Sequence, residues 1–295
     1  MSKVPQTVDR FPIHFFMVMV RPTQIFQSRT RFKVWQQAFL IIFLTSCMAV
    51  PLTLSLARTD HVSMTLIAPK IETALSSTML NHVRGAVIEN GEWSGRTVFQ
   101  TEQRGVFLAI DPENKIQAAG SMYHRAVPGH SSALVFQRRQ FIIAQTNGFG
   151  FTVSYPPNRV IRLNGHADQF IHQIEQLWFA QYQPLYRLAI SCLGFAALLL
   201  VNCFLFFIVT LLLWLTKWTK LSDVRSLRQA SSIVILSAAV PTLLASLLSL
   251  YQFNFGTMML LQAAGLSLMM ACVFFRTHFQ DQQFHMTQTP CPRAR

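Results

Sequence analysis

Charged side chains are scarce in this 295-residue chain, and acidic ones are the scarcest. Asp, Glu, Lys and Arg make up 13% of the residues, whereas a soluble domain has about 25%. Hydrophobic residues reach 51%, and the mean hydropathy is +0.33. This composition argues against an ordinary soluble protein and indicates one that lies in a membrane.

Cysteine is absent from residues 58–187, the longest stretch without an extended apolar run. Four of the five cysteines lie within apolar runs and one lies near the end of the chain: Cys47, Cys192, Cys203, Cys272 and Cys291. No CxxC pair or Cys/His ligand spacing occurs. We therefore expect neither a disulfide framework nor a zinc site.

Catalytic signatures are also missing, because the sequence contains no GxSxG, P-loop, dinucleotide-binding, HxxxH or HExxH pattern. His124 and His130 bracket a loop, where solvated side chains are favoured over a metal site. The carboxylates considered for acid–base chemistry all flank or occupy predicted turns: Glu89, Glu92, Asp111 and Glu113. We expect no enzyme activity, no cofactor and no metal. A surface hydrolase would need a cleft that gathers at least two such carboxylates or histidines.

The 25 Lys and Arg residues against 12 Asp and Glu give a formal net charge of +13. The excess is concentrated beside the ends of apolar runs: before residue 34, in residues 217–228 and after residue 275. That is the positive-inside pattern of membrane proteins. It predicts contact with the anionic headgroups of a lipid bilayer and argues against binding to nucleic acid.

Apolar runs long enough to cross a bilayer, which requires about 20 residues, recur along the chain. Residues 229–275 contain no Lys, Arg, Asp or Glu and are predicted to turn near residues 251–256. The four predicted transmembrane helices are 34–57, 188–216, 229–251 and 255–275. The second is flanked by Arg187 and Lys217.

The basic flanks predict a protein of the cell membrane with both termini in the cytoplasm. Residues 217–228 are then a basic cytoplasmic loop, 276–295 a cytoplasmic tail, and 58–187 an extracytoplasmic domain. Residues 1–33 form a basic cytoplasmic arm whose apolar run, 11–20, is too short to span. Two interpretations of that run stay open, namely a helix in the headgroup region and a tail that packs against the other helices.

Residues 58–187 change from helical to strand periodicity. Pro69 opens a predicted helix with one apolar face, formed by Ile71, Leu75, Met79 and Val83. Short strands joined by turns follow, beginning with a hairpin at Asn90-Gly91 and ending near residue 155. Their short connections predict an antiparallel meander, in which 115–119 pairs with 106–110.

A helix is then predicted to start near Asn164-Gly165 and to lead into the second span. Its apolar face comprises Phe170, Ile174, Leu177 and Trp178. Arg138 and Arg139 lie on a predicted turn, as a solvated tip or as a contact for an acidic partner. The predicted fold is a membrane α-helical protein with four transmembrane helices and an extracytoplasmic α+β domain, an antiparallel sheet flanked by helices.

Two amide side chains are predicted to lie at membrane depth, Asn202 in the second span and Gln262 in the fourth. Amides within a bilayer usually hydrogen-bond across helices. We expect them to form intramembrane polar contacts between helices. The alternative is that they line a path for a solute.

Several local features resemble an uncharacterised family of bacterial multi-pass membrane proteins, some of which are labelled maltodextrin (maltodextrose) utilisation proteins. The resemblance rests on Arg21-Pro22, the late Pro51 of the first span, the hairpin at 88–92, and the strands 106–111, 133–136 and 141–144. It covers nearly the whole chain, apart from the tail. It implies a cell-membrane protein that is accessory to carbohydrate uptake, and it carries over no catalytic residue.

Two functions from different classes follow. The first is a non-enzymatic membrane protein whose extracytoplasmic domain binds a ligand or a membrane or extracytoplasmic protein partner, in an accessory or sensory role. The second is a small permease or transporter subunit that uses the second to fourth helices. It is less favoured because internal repeats and intramembrane charges are absent.

Overall fold

The computed structural model describes residues 18–279 except 76, 96, 122, 164, 165 and 220–222. The chain divides into two compact units. One, which we call the sheet domain, is Arg58–Tyr186, and the other, the helical unit, comprises Met1–Ala57 and Arg187–Arg295. The predicted helix start at Asn164-Gly165 and most of the apolar run 11–20 fall outside the described residues.

The α-helices are α1 Pro22–Gln27, α2 Val34–Arg58, α3 Met64–Ile67, α4 Pro69–Ala74, α5 Ser77–Val83, α6 Ala167–Leu215, α7 Leu227–Ser249 and α8 Phe255–Thr277. Short 3-10 helices cover Ser28–Thr30 and Thr216–Thr219. Side-chain caps explain why α7 and α8 begin where they do: Ser226 accepts from the backbone N–H of Gln229, and Asn254 from that of Thr257.

Four of the described helices, α2, α6, α7 and α8, are long and apolar enough to cross a membrane. This confirms the four long apolar helices predicted from the sequence. α7 is the most enclosed of them, and its buried positions include Ser237, Ala238 and Ala245. A Cβ added at Gly265 of α8 would lie 2.6 Å from the Cβ of Pro241. Small residues therefore allow α7 and α8 to approach closely.

The described part of the N-terminal arm packs against the long helices of its own unit. Val18, Ile25, Phe26 and Phe32 are buried in one cluster with residues of α7 and α8. The guanidinium of Arg29 lies 4.0 Å from the centre of the Phe26 ring. Residues 18–32 therefore pack on these helices. The two interpretations of the run 11–20 concern residues that lie mostly outside the described ones.

The helix predicted after Pro69 is divided into α4 and α5. Leu75 follows α4 with extended backbone angles (φ −62°, ψ 109°). One physical cause is that Nη1 of Arg104 donates to the carbonyl of Thr73 at 2.6 Å. That carbonyl no longer needs a helical partner. The predicted face is nevertheless retained, since Ile71, Met79 and Val83 are all fully buried.

The strands form two sheets, β2-β1-β8 and β3-β4-β5-β6-β7. Their bounds are β1 Val87–Glu89, β2 Glu92–Trp93, β3 Phe99–Gln103, β4 Val106–Asp111, β5 Ala133–Gln137, β6 Gln140–Ala144, β7 Gly150–Ser154 and β8 Ile161–Arg162. Neighbouring strands are antiparallel except β4 and β5, which are parallel. Antiparallel sheets flanked by helices are therefore present, as predicted.

The predicted pairing of 115–119 with 106–110 is wrong. Residues 112–132, which we call the crossover loop, carry the chain from β4 to the parallel strand β5. The reason is visible at Ile116, whose N–H donates to Asp111 Oδ2 and whose carbonyl accepts from Gln137 Nε2, both at 2.6 Å. Side chains thus satisfy the backbone groups that a hairpin ladder would have used.

The larger sheet buries both of its faces. Alternate residues on one face, such as Leu108, Phe136 and Phe141, share a core with Phe170 and Ile174 of α6. The other face carries Ala109, Ala133, Val135, Ile142 and Ala144, and the crossover loop covers it with Val127. A Cβ added at Gly150 would clash with the carbonyl oxygen of Arg125, so glycine is required for this close approach.

Candidate functional site

An ion-pair cluster joins the β1–β2 hairpin to the turn between β5 and β6. Arg138 contacts Glu92 Oε2 through Nε at 3.0 Å and Nη2 at 2.9 Å. Arg139 contacts Glu92 Oε1 through Nε at 2.9 Å and Nη2 at 2.8 Å. Each guanidinium therefore binds one oxygen of the same carboxylate. Both arginine side chains are nevertheless 59% and 77% exposed, so the predicted solvated turn is confirmed, and its acidic contact lies within the chain.

The backbone around this cluster is fixed as well. The N–H of Trp93 donates to the Arg138 carbonyl at 2.7 Å, and that of Tyr155 donates to the Arg139 carbonyl at 3.0 Å. Hydrogen bonds from Arg139 and Arg138 lower the pKa of Glu92. The carboxylate is consequently held in its charged form, and the turn is held against both neighbouring strands.

This pairing predicts a pH dependence of stability. A carboxylate with a lowered pKa stabilises the folded state above its unfolded pKa, about 4.3 for Glu, and the effect is lost as pH falls through the folded pKa. We expect Glu92→Gln to lower the melting temperature at pH 7 and the difference from wild type to disappear under acid. Circular dichroism of the purified full chain measures it. Glu89→Gln on the same hairpin is the control, and a pH-independent difference would contradict the assignment.

Residues of the ion-pair cluster line two polar clefts. The hairpin cleft, of about 610 Å³, is lined by Glu89, Asn90, Glu92, Trp93, Ser94, Gly95, Pro112, Glu113 and Arg138. The crossover cleft, of about 500 Å³, is lined by Asn114, Ile116, Gln117, Ala118, Arg125, Gln137, Arg139, Gln140, Ile142 and Thr152. Both volumes fall within the range of small-molecule sites, about 300–1,000 Å³.

The crossover cleft is shaped by side chains that are already hydrogen-bonded. Gln140 Nε2 donates to Gln137 Oε1 at 2.8 Å, and Arg125 Nη1 donates to the Gly120 carbonyl at 3.0 Å. Asn114 Oδ1 accepts from the backbone N–H of Arg138 at 3.3 Å. Gln137 is 4% exposed and Asp111 is 2% exposed, so the loop is anchored on buried polar groups. These internal hydrogen bonds hold the walls of the cleft in place.

Three of the four carboxylates considered for catalysis, Glu89, Glu92 and Glu113, do line one cleft, whereas Asp111 is buried beneath the crossover loop. The cleft that a surface hydrolase would need is therefore present, because it gathers more than two carboxylates. Glu92 is paired with two arginines, Glu113 Oε2 lies 2.6 Å from Lys115 Nζ, and Glu89 is exposed. A general acid requires a desolvated carboxyl with a raised pKa, whereas hydrogen bonds from Arg139 and Arg138 lower the pKa of Glu92.

His124 and His130 are not brought together as ligands. Nδ1 of His124 lies 2.9 Å from the Gly148 carbonyl, and the His130 ring stacks on Phe107 with centroids 3.9 Å apart. Over the described ranges of the chain, no group of three or more His, Cys, Asp or Glu side chains could hold a metal ion.

The two predicted intramembrane amides contact each other. Gln262 Nε2 donates to Asn202 Oδ1 at 2.9 Å and to Thr242 Oγ1 at 3.1 Å, while Asn202 Nδ2 donates to Thr45 Oγ1 at 3.1 Å. All four residues are fully buried. The cluster therefore links α2, α6, α7 and α8 at one point. The two threonines of this cluster could not be identified from the sequence. The hydroxyl of a threonine in a helix commonly hydrogen-bonds to a backbone carbonyl of the same helix.

A second polar cluster was not predicted. Gln37 Nε2 donates to Ser232 Oγ at 2.7 Å, and Ser231 Oγ donates to Gln37 Oε1 at 2.6 Å. These contacts hold the start of α2 against the start of α7. The only sequence signal was an amide near the beginning of an uncharged run.

Comparison with known proteins gives two relatives. The chain is 26% identical over 265 residues, 90% of its length and 89% of the relative's, to the "Putative maltodextrin utilization protein YvdJ" of Bacillus subtilis (strain 168). It is 27% identical over 158 residues, 52% of its length and 57% of the relative's, to the "Maltodextrose utilization protein MalA" of Streptococcus pneumoniae (strain ATCC BAA-255 / R6). The chain is a homologue of proteins named for maltodextrin utilisation.

The resemblance drawn from the sequence is thereby confirmed. The match to YvdJ extends over both units, because it covers 90% of the chain. No protein-family model matches the chain, and no solved structure matches it. The roles of the clefts must therefore be argued from their own chemistry.

Proposed function

We propose that this chain is a non-enzymatic accessory membrane protein of maltodextrin utilisation, whose sheet domain binds a ligand or a partner protein outside the cell. The observation that carries the proposal is the pair of polar clefts on the sheet domain. The printed names of YvdJ and MalA supply the physiological context. Four helices able to cross a membrane supply the anchor.

The proposed orientation follows from the basic residues at the helix ends. Lys33 precedes α2, Lys217 and Arg225 lie between α6 and α7, and Arg276 lies in the last turn of α8. The positive-inside rule places all of these in the cytoplasm, and the sheet domain outside the cell membrane. Exposed Trp35 and Trp218 beside these basic residues suit the headgroup region of the bilayer.

α6 belongs to both units, since it begins at Ala167 and ends at Leu215. A ligand or partner that favours one conformation of the sheet domain would therefore act on a helix that continues into the membrane. We propose that such a change is passed on to a partner membrane protein, which fits an accessory or sensory role.

Deletion of the gene in its host is expected to slow growth on maltodextrin and leave growth on glucose unchanged. Uptake of labelled maltodextrin by the same cells should fall, and the intact gene supplied in trans should restore it. A strain that grows equally well on both sugars after deletion would overturn the proposal. Assaying the medium for shortened oligosaccharides tests the non-enzymatic assignment at the same time.

The second candidate, a small permease or transporter subunit, is favoured by one observation: buried Gln262 Oε1 has no hydrogen-bond partner among the described residues. The remaining amide contacts join neighbouring helices and favour a packing role. Uptake by cells that carry a combined Asn202→Leu and Gln262→Met variant separates the two. Unchanged uptake removes the permease hypothesis.

A further inference from the structure

A lateral groove in the helical unit lies among the early turns of α2 and α7 and the later turns of α6. Its volume is about 460 Å³. Its lining residues come from three segments, 34–41, 203–210 and 227–235. Asn202 Nδ2, just before the α6 segment, donates to Thr45 Oγ1, just after the α2 segment, at 3.1 Å. The two helices are therefore antiparallel, and Thr210 lies at the same end of the groove as Val34.

The deeper part of the groove is apolar, and the groove is open along one side. Phe206 and Ile235 are buried and form its floor, whereas Ala38 and Phe207 are exposed and form its rim. The segment 34–41 rises about 10 Å along its helix, compared with about 15 Å for half of the hydrocarbon core of a bilayer. A groove of this length and lining fits part of one acyl chain of a lipid.

The polar side chains of the groove are gathered at the end marked by Val34. Ser231 Oγ donates to Gln37 Oε1 at 2.6 Å, so these two side chains bind each other. Nε of Arg228 donates to the Phe32 carbonyl at 3.0 Å, which holds the guanidinium at this end. Arg228 is exposed, and within the described ranges no acidic side chain pairs with its two Nη groups. These groups are therefore available to an anion.

An excess of positive charge lies at this end of the groove. The hydrogen bond from Arg228 to Phe32 holds residues 31–33 beside residues 223–228. Together the two segments contain one acidic residue, Asp223, and four basic residues, namely Arg31, Lys33, Arg225 and Arg228. Four positive charges against one negative charge favour an anionic group beside Arg228. A guanidinium binds a phosphate through two parallel N–H groups, and basic pockets between transmembrane helices bind phospholipid headgroups.

We propose that the lateral groove is a binding site for one anionic phospholipid. An acyl chain lies over Phe206 and Ile235, and the phosphate accepts hydrogen bonds from the Nη groups of Arg228. The basic end and the apolar end follow each other in the order that headgroup and acyl chain have in the cytoplasmic leaflet. The lipid site goes beyond the proposed function, because it concerns the helical unit and not the ligand of the sheet domain. It shares with that function only the condition that the four helices cross a membrane.

A second copy of this chain fits the groove less well than a lipid does. Copies that cross one membrane in the same orientation bring their basic ends to the same depth. Arg228 of one copy would then face the basic end of the other copy, and like charges at short distance repel each other. A lipid phosphate instead places a negative charge beside Arg228.

Native mass spectrometry of the purified full chain in an uncharged detergent tests the site. Dioleoylphosphatidylglycerol is the anionic probe, and dioleoylphosphatidylcholine has the same acyl chains with a zwitterionic headgroup. We expect one phosphatidylglycerol molecule to be retained, about fivefold more tightly than phosphatidylcholine, which is the effect of one basic residue at a membrane surface. Arg228→Gln should weaken phosphatidylglycerol binding about fivefold, whereas Arg228→Lys, which keeps the charge, should retain most of it.

Ala38→Phe tests the apolar part of the site separately, because it places a ring in the groove and changes no charge. We expect this variant to lose the retained lipid. Arg276→Gln and Ala271→Phe are the matched controls, since both residues are exposed on α8 and line no part of the groove. Both controls should bind phosphatidylglycerol as the wild type does.

Several results would overturn the lipid site. They are equal retention of the two lipids, unchanged binding in Ala38→Phe, and equal losses in Arg228→Gln and Arg276→Gln. Displacement of the lipid by glycerol phosphate, which has no acyl chain, would mean that the apolar groove does not contribute. A dimer in place of a lipid adduct, dispersed by Ala38→Phe, would assign the groove to a second copy. None of these results alters the growth phenotype expected of the deletion strain, so a failure of the lipid site and a failure of the proposed function are distinguishable.

Discussion

Replacement of Phe136 by alanine is expected to lower the free energy of unfolding of the sheet domain by about 3–5 kcal/mol. Phe136 lies on β5 and is 2% exposed. Its ring centre lies 5.5 Å from that of Trp93, 5.7 Å from that of Phe141 and 5.6 Å from that of Phe170. Removal of the ring therefore leaves a cavity where the hairpin, the sheet and α6 meet.

Hydrogen–deuterium exchange of strands β4 to β6 in the full chain gives the free energy of opening of this region. Phe149→Ala is a matched control, because the Phe149 side chain is 51% exposed. It should change the opening energy by less than about 1 kcal/mol. Similar losses for the two variants would show that Phe136 does not lie at the centre of the core.

Local sequence signals predicted those parts of the fold that local chemistry determines. Asn90 and Gly91 adopt positive φ values of 52° and 76°, and the hairpin they were expected to form is confirmed. Three of the four residues on the predicted face of α6, Phe170, Ile174 and Trp178, are buried. In both cases the residues that decide the conformation are neighbours in sequence or one helical turn apart.

Non-local pairing was not predictable in the same way. The turn at 111–114 was expected to close a hairpin, but Asp111 and Gln137 instead bind the backbone of Ile116 and direct the chain into a crossover. β3 was missed because its residues are all exposed or half-buried and give no alternating apolar pattern. It is identified only by its ladder with β4.

In the candidate site, too, the local features were predictable from the sequence and the non-local contacts were not. Glu92 and the Arg138-Arg139 pair were each recognised as residues beside turns, and their local setting was correct. Their contact joins positions 46 and 47 residues apart. No local pattern specifies that distance, so the sequence could indicate polar turns but not the clefts between them. Asn202 and Gln262 were easier to find, because an amide is conspicuous within an uncharged run.

The second large loss of stability is expected on replacing either member of the amide pair in the helical unit, Asn202 and Gln262. Asn202→Leu would leave the amide N–H of Gln262 without its Asn202 acceptor, and Thr45 without its Asn202 donor, in a fully buried setting. Gln262→Met would likewise leave the Asn202 carbonyl without its donor. Each single substitution is expected to destabilise the helical unit by about 2 kcal/mol, since an unsatisfied buried polar group costs about 1–3 kcal/mol.

The loss of stability in the combined variant should be smaller than the sum of the losses in the two single variants. The reason is that apolar groups of similar shape then replace both partners. Reversible unfolding in mixed micelles measures the three free energies and yields the coupling between the two positions. Membrane hydrogen bonds give coupling energies of about 0.6 kcal/mol on average and about 1.7 kcal/mol at most. A coupling near the upper value is expected here, because Gln262 Nε2 contacts both α6 and α7. Strict additivity would mean that the two amides act independently, and the cluster would then not be the point that holds the four helices together.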